Sequence, residues 1–442
     1  MVRFGEQQPE THPYSMIVHK PDPDIEYYEA YKNIGRKYTI LKRGADASTV
    51  IQSAINALTS GGRIFIKAGT YPILLTGDSW TIILKQKVEI CGEGIDKTVL
   101  QYSGTLSVPS YMLQMHASSR LSGLTIDVNG ANLTYGTYPA SSYFGGVCMG
   151  DEPTADIAGD YAMCERVKVM NAKPTGGVLN LESAGLNMFC GAGMTVKNII
   201  FDNCNDGLFI TYPSSVVADS LHFRFASGIY GKDCDALIYW EVGSGILRAV
   251  RGVDCGRLLF VRSPAGSITK GIIDDLQGYN LSTNAITLGS SDVVEDFVIV
   301  NAHLDTVAGH GIITNGNITL MNPVIRNVAG GHVGIWAQSG ILKVKGGHIT
   351  GTVSVEPAAS VHFDDVIGFV TENSRTATIL SGQTSVTFAH GLAGAPTLVT
   401  LGATHAEVSD AIWSADATNI TITVPSAVTA NRSISWYAEY KP

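Results

Sequence analysis

Seven segments of this chain resemble one another and return at nearly constant spacing. They are VKNIIFDNC, DSLHFRFAS, LRAVRGVDC, TKGIIDDLQ, DFVIVNAHL, MNPVIRNVA and VKGGHITGT, centred on Ile200, Phe223, Val250, Ile273, Ile299, Val324 and His348. The steps between centres are 23, 27, 23, 26, 25 and 24 residues. A second short apolar segment often follows the first: GLFI at 207–210, GIYG at 228–231, RLLF at 257–260, NAITL at 284–288, GIIT at 311–314 and GIWA at 334–337. No helical period runs through them, and Gly, Asn, Asp and Ser separate them. A strand-only repeat of this length predicts a coil of short strands, one repeat per turn. Successive turns then pair in parallel about 4.8 Å apart, and inward side chains stack into one continuous core. Glycine and asparagine take the corners that need positive φ. Roughly 310 residues of such sequence make about 12 turns and a rod of about 60 Å. A propeller would need repeats of about 40 residues with hairpin signals.

Composition agrees with an ordered, strand-rich chain. Of 442 residues, 16% are charged and 45% are apolar, which excludes a disordered chain. The 48 glycines follow no G-X-Y period, so collagen is excluded as well. No apolar run reaches the length of a membrane-spanning helix, and MVRFGEQQPETHPY shows no apolar leader core. The net charge of −9 argues against nucleic acid as a main partner. The seven cysteines are odd in number and contain no C-x-x-C, so they are expected to be buried free thiols.

The first 40 residues hold four prolines and read as an extended arm. In DASTVIQSAINALTSGGRIFIKAGTY (46–71), Asp46 or Ser48 can cap a helix whose apolar residues are Val50, Ile51, Ala54, Ile55 and Leu58. Gly61-Gly62 stops it. A helix of this kind can close the open apolar end of a solenoid. The helix, together with Gly69-Thr70-Tyr71 and EICGEGIDKTVL (89–100), resembles the N-terminal entry of the pectin-lyase-like, right-handed parallel β-helix superfamily. Gln52, Ala54, Gly92 and Gly94 are further matching positions. The resemblance implies an all-β fold over 41–372: a right-handed parallel β-helix with an N-terminal capping helix. The superfamily includes lyases, hydrolases, epimerases, viral tailspikes and inactive adhesins, so the resemblance does not fix an activity.

From about residue 373 the composition shifts to alternating Thr, Val and Ile, which predicts a β-sandwich-like module over 373–442. SVTFAHGLAGAP (385–396) and the closing WYAEY (436–440) resemble C-terminal modules of viral tail fibres. That resemblance implies a homotrimer and glycan binding.

Cleavage of a glycosidic bond needs paired carboxylates, and a lyase needs a base with a cation that neutralises a uronate. Asp202, Asp206, Asp233 and Asp254 are the carboxylate candidates, and Arg224 and Lys232 the cations for an anionic sugar. Glu241 and Asp275 join them as binding candidates. The steps 202, 224, 254, 275 are near the repeat length, which would line these residues along one groove. N-x-x-D-G is also how a β-helix corner is written, because Asn and Asp bond their own backbone there. Both readings stand at the level of sequence. Asp274-Asp275 resembles the aspartate pair of polygalacturonases, but the accompanying N-T-D and R-I-K signals are missing. Residues 127–165 break the repeat as an insertion and carry Tyr135, Tyr138, Tyr143 and Phe144, rings that can stack on sugar or on a neighbouring subunit. The D-E-x-x-x-D spacing in this stretch is a weak match for calcium, and no cofactor is expected. The histidines show no metal spacing.

Two function classes follow. One is a virion surface spike that binds, and in an active form depolymerises, a cell-surface polysaccharide. The other is a cellular polysaccharide lyase or glycosidase, which would be exported and would carry a family motif. A non-catalytic adhesin differs from the first only in leaving the sugar bonds intact. The spike fits best, as a homotrimer on a virion surface or otherwise extracellular, with no nucleic-acid partner and no membrane insertion.

Overall fold

The computed structural model describes residues 14–21, 28–34, 37–74, 80–106, 111–135, 142–150, 160–174, 181–189, 193–211, 225–241, 244–262, 270–289, 294–367 and 372–440. The chain forms a parallel β-helix followed by a small β module.

Two ladders of parallel strands build the rod. In the bent ladder, Arg120–Asp127, Met163–Met170, Thr195–Asp202, Phe225–Lys232, Ser244–Val253, Lys270–Leu281 and Val294–Val307 pair in that order. In the straight ladder, Tyr111–Met115, Ser142–Met149, Leu181–Phe189, Asp206–Thr211, Ala236–Trp240, Arg257–Val261 and Ile286–Leu288 do the same. Side chains alternate in and out along each strand. Leu186, Leu208, Ile238, Leu259, Ile286, Ile312 and Ile335 therefore form one inward column, all fully buried. Column volumes compensate one another: Trp240 packs on Phe297 with ring centroids 5.1 Å apart, and Gly271 leaves room for both rings.

The bend has a local cause. Gly123, Arg166, Asn198, Gly228, Ala249, Asp275, Asn301 and Asn322 occupy equivalent positions in successive strands, and every one has positive φ. A second column of left-handed residues ends the bent strands: Asn171, Asn203, Asp233, Asp254, Asn280, Thr306 and Asn327. Amides tie this column along the rod, from Asn171 to Asp127 (2.9 Å), Asn203 to Asn171 (3.1 Å) and Asn280 to Asp254 (3.2 Å). Cys204, Cys234 and Cys255 follow it as a buried stack; these and Cys91, Cys148 and Cys164 are free thiols, and Cys190 lies outside the described residues.

The repeat reading needs one adjustment, and Phe223 lies outside the described residues. GIYG belongs to the bent ladder, because Gly228 is a left-handed corner and the straight strand of that turn is Ala236–Trp240. The insertion reading also changes: Ser142–Met149 is a regular rung inside 127–165.

The helix α1 spans Ala47–Asn56, and Asp46 caps it by accepting from the Ser48 and Thr49 amides. Its buried face, Val50, Ile51, Ala54 and Ile55, seals the end of the core. Gln52 then meets the free edge of strand Trp80–Leu84 as a partner strand would. Its Oε1 accepts from the Ile83 amide (2.8 Å) and its Nε2 donates to the Ile83 carbonyl (3.3 Å). The first 40 residues contribute more than an arm: Met16–His19 pairs with both Tyr28–Ile34 and Gly62–Ile66, and Lys37–Gly44 extends the sheet across residue 40.

After Ile367 the strands become antiparallel, in two three-stranded sheets around Ile379, Ile420, Ile422, Ile434 and Trp436. The HGLAG segment is structural. His390 is fully buried, its Nδ1 accepts from the Leu392 amide (3.0 Å), and Gly394 sits 2.7 Å from the Tyr440 ring at its would-be Cβ.

Candidate functional site

The two outward faces of the rod differ in how their strands are joined. From Thr195 onward a bent strand hands over to the next straight strand within a few residues: 202 to 206, 232 to 236, 253 to 257; the earlier handovers, 127 to 142 and 170 to 181, are longer. The connections after the straight strands vary in length, from 211 to 225, from 240 to 244 and from 261 to 270. Loops of variable length on a rigid scaffold are where binding residues concentrate. The outward side chains at the ends of the straight strands belong to the last described residues before these connections.

Three successive straight strands place an aromatic ring at the same outward position. Phe209 pairs with Tyr239 and Tyr239 with Phe260 in the ladder register. The ring centroids are 5.0 Å and 4.9 Å apart, the first pair edge-on and the second tilted. Phe209 is 4% exposed, while Tyr239 and Phe260 are half-buried. Two residues further along each strand come Thr211, Glu241 and Arg262. The Thr211 hydroxyl donates to Glu241 Oε2 at 2.9 Å, and Arg262 lies 3.9 Å from Oε1. Before the rings, in the same register, stand Asp206, Ala236 and Arg257. The Arg257 guanidinium lies over Phe260, 4.8 Å from its centroid. Burial pushes the Tyr239 phenol up to about 12, with Arg262 opposing the shift. The surface thus combines apolar rings with two carboxylates, two guanidinium groups and a phenol that stays protonated at neutral pH. Such groups can stack on a sugar, bond its hydroxyls, and accept or donate a proton.

This face holds only two of the residues singled out from sequence, Asp206 and Glu241. Asp202 and Lys232 are register partners on the outward side of the bent ladder. Asp202 faces Lys168 (3.4 Å) and Lys232 faces Asp233 (3.5 Å). The Asp233 carboxylate, with Asp202 and Asp254 behind it, raises the Lys232 ammonium pKa. Asp233 and Asp254 are left-handed corners of one column, and Asp275 is a corner of the other, accepting from Gln277 at 2.8 Å. The corner reading therefore describes their backbone role. Phe144 is corrected outright: it is fully buried in the rod core, 6.3 Å from the Tyr102 ring, and cannot meet a substrate. The strands Thr134–Tyr135 and Ser142–Met149 place Tyr135 and Tyr143, but their side chains, like Arg224 and Tyr138 altogether, lie outside the described residues.

Sequence reading missed Phe209, Tyr239, Phe260, Arg257 and Arg262. The signal was present in GLFI, ALIYW and RLLF, each with an aromatic at the outward position, and it becomes visible only once those segments are set in register. Among the described residues, no group of three or more His, Cys, Asp or Glu side chains is placed to hold a metal ion. No helix among them is long and apolar enough to cross a membrane.

No protein-family model and no curated protein matches the chain. Several solved structures are similar to it. One is the A-module of the Azotobacter vinelandii mannuronan C-5 epimerase AlgE4, at 15% identity and a TM-score of 0.44, covering 73% of this chain and 92% of that one. The tailspike protein of Escherichia coli bacteriophage HK620, solved in complex with a pentasaccharide, has 11% identity and a TM-score of 0.45, covering 89% and 90%. The Dettilon tailspike protein has 12% identity and a TM-score of 0.40, covering 89% and 91%.

Proposed function

We propose that the outward face of the straight ladder between Asp206 and Arg262 is the polysaccharide-binding surface of a virion spike. The observation that supports this reading is the stack of Phe209, Tyr239 and Phe260 at one ring per rung, edged by hydrogen-bonding and charged groups. The rung spacing of about 4.8 Å is of the order of one sugar residue in an extended glycan, so a chain lying along the rod would meet the Tyr239 and Phe260 rings on successive sugars, with the buried Phe209 supporting Tyr239. Partly exposed rings with polar edges suit sugars, which offer an apolar face and a rim of hydroxyls. In this reading the rods assemble as homotrimers through the C-terminal module, and light scattering on the full chain measures that directly.

The experiment is a binding panel of bacterial and host polysaccharides, with products followed by mass and by the ultraviolet absorbance of unsaturated uronates. Binding that weakens in Tyr239→Ala and Phe260→Ala supports the surface. Binding that survives both changes, or an empty panel, overturns it. Products with the absorbance would make the protein a lyase. Products without it would make it a hydrolase, and binding without products an adhesin.

A further inference from the structure

The three rings do not share one electrostatic setting. Phe209 stands between Asp206 and Thr211, Tyr239 between Ala236 and Glu241, and Phe260 between Arg257 and Arg262. Carboxylates edge the first two rungs and guanidinium groups the third. Arg262 already leans toward Glu241. Arg257 has no ion pair among the described residues and rests on the Phe260 ring. The acid nearest to it in sequence register, Asp235, is taken by Lys173. The rungs on either side offer Ala236 and Asn284, neither of which carries charge. In a chain with 39 acidic and 30 basic residues, a guanidinium left without a carboxylate beside an outward ring is a poised anion-binding group.

We propose that the Phe260 rung is a subsite for an acidic sugar, whose carboxylate meets the Arg257 guanidinium where it lies over the Phe260 ring. The Tyr239 rung then takes a neutral sugar, with the buried Phe209 ring supporting Tyr239. A uniformly charged polyuronate would press its carboxylates against Asp206 and Glu241, where like charges repel, and a neutral glycan would leave Arg257 unused. The ligand class is therefore a mixed polysaccharide in which acidic and neutral sugars alternate. This inference rests on the glycan-binding reading of the same face.

The test compares hyaluronan, in which an acidic and a neutral sugar alternate, with polygalacturonate and dextran, using the full chain. Hyaluronan is expected to bind about tenfold tighter than either, as one charge-assisted pair would give. Arg257→Gln should erase the advantage and Arg257→Lys should keep part of it, each with an unchanged unfolding midpoint. Dextran or polygalacturonate binding as tightly as hyaluronan, or an advantage that survives Arg257→Gln, overturns the acidic subsite and leaves the glycan surface standing. If none of the three binds and another glycan of the panel does, its composition decides. A mixed acidic chain that depends on Arg257 supports the subsite, and a uniformly neutral or uniformly acidic chain overturns it. An empty panel removes the glycan reading itself.

Discussion

The bent and straight faces of this rod carry similar residues for different reasons. On the bent face Asp233, Asp254 and Asp275 stand where the backbone turns left-handed, a conformation that Asn, Asp and Gly adopt most readily. Amides hydrogen-bond Asp254 and Asp275, and Lys232 pairs with Asp233. On the straight face no corner demands Glu241, Arg257 or the three rings. Nothing in the coil's geometry accounts for their type. A carboxylate at a corner is explained by the fold, whereas a ring and an arginine pointing outward from a straight strand are not, and that second group is where function is to be sought.

The comparison breaks most sharply at Phe144. If it is core, Phe144→Ala costs about 3–5 kcal/mol of stability, seen as a large drop in the unfolding midpoint, while the protein that remains folded binds glycan as before. Intact stability with lost binding would restore it to the surface. Next in size is Tyr239→Ala. Removing the middle ring of the stack should weaken glycan binding by about 10–100-fold, the range for a stacked aromatic contact, with little change in the unfolding midpoint. An effect confined to stability would move the binding surface elsewhere.

How much of this was legible in the sequence follows from the same contrast. The coil is written in every turn, because alternation and corner residues repeat with it, and the helix and its cap are local signals that α1 obeys. Gln52 could be seen as a matching position, but its pairing with Ile83, 31 residues away, could not. The site was half hidden. The repeat length brought Asp202, Asp254 and Asp275 toward one side, yet a period of about 25 residues cannot separate an outward strand position from a corner one or two residues away. Register decides that, and register is a long-range property. Phe144 was misplaced for the same reason: an aromatic-rich segment with an irregular length looked like a loop, whereas it is a strand whose pairing is interrupted at Gly146, so that Phe144, Val147 and Met149 are all buried in the core.

A smaller effect separates the corners from the binding face. Asp254→Val puts a β-branched residue at φ 55°, and should cost about 1–2 kcal/mol in denaturant unfolding, whereas Asp254→Asn should cost little. Neither should change glycan affinity. If Asp254→Asn alone lowers affinity or turnover, the bent face regains its claim to chemistry.

The smallest effect is a pH dependence at the far end of the straight face. His310 Nδ1 accepts a hydrogen bond from the Val333 amide at 3.1 Å, so the neutral ring carries its proton on Nε2. The groups packed against it are His332, 4.8 Å away edge-on, Trp336 at 5.0 Å with its indole N–H on Glu356, and the Asn284 amide, which holds the His310 backbone. Protonating Nδ1 would replace an acceptor with a donor and break the bond to Val333. Burial first, and then the neighbouring His332 charge, lower the His310 pKa from its ordinary value. The unfolded chain therefore binds this proton at a higher pH than the folded one, and stability rises with pH across the interval between the two pKa values. The contribution is intact above the ordinary histidine range, about 6.5, and is lost as pH falls through the lower folded value. His19, also lowered by burial, acts with the same sign at the other end of the rod. The share due to His310 is therefore the difference between the parent and His310→Gln in midpoint against pH, followed by Trp336 fluorescence. The parent should lose more stability on acidification than the variant. Parallel curves would show that the Val333 bond does not couple this rung to pH.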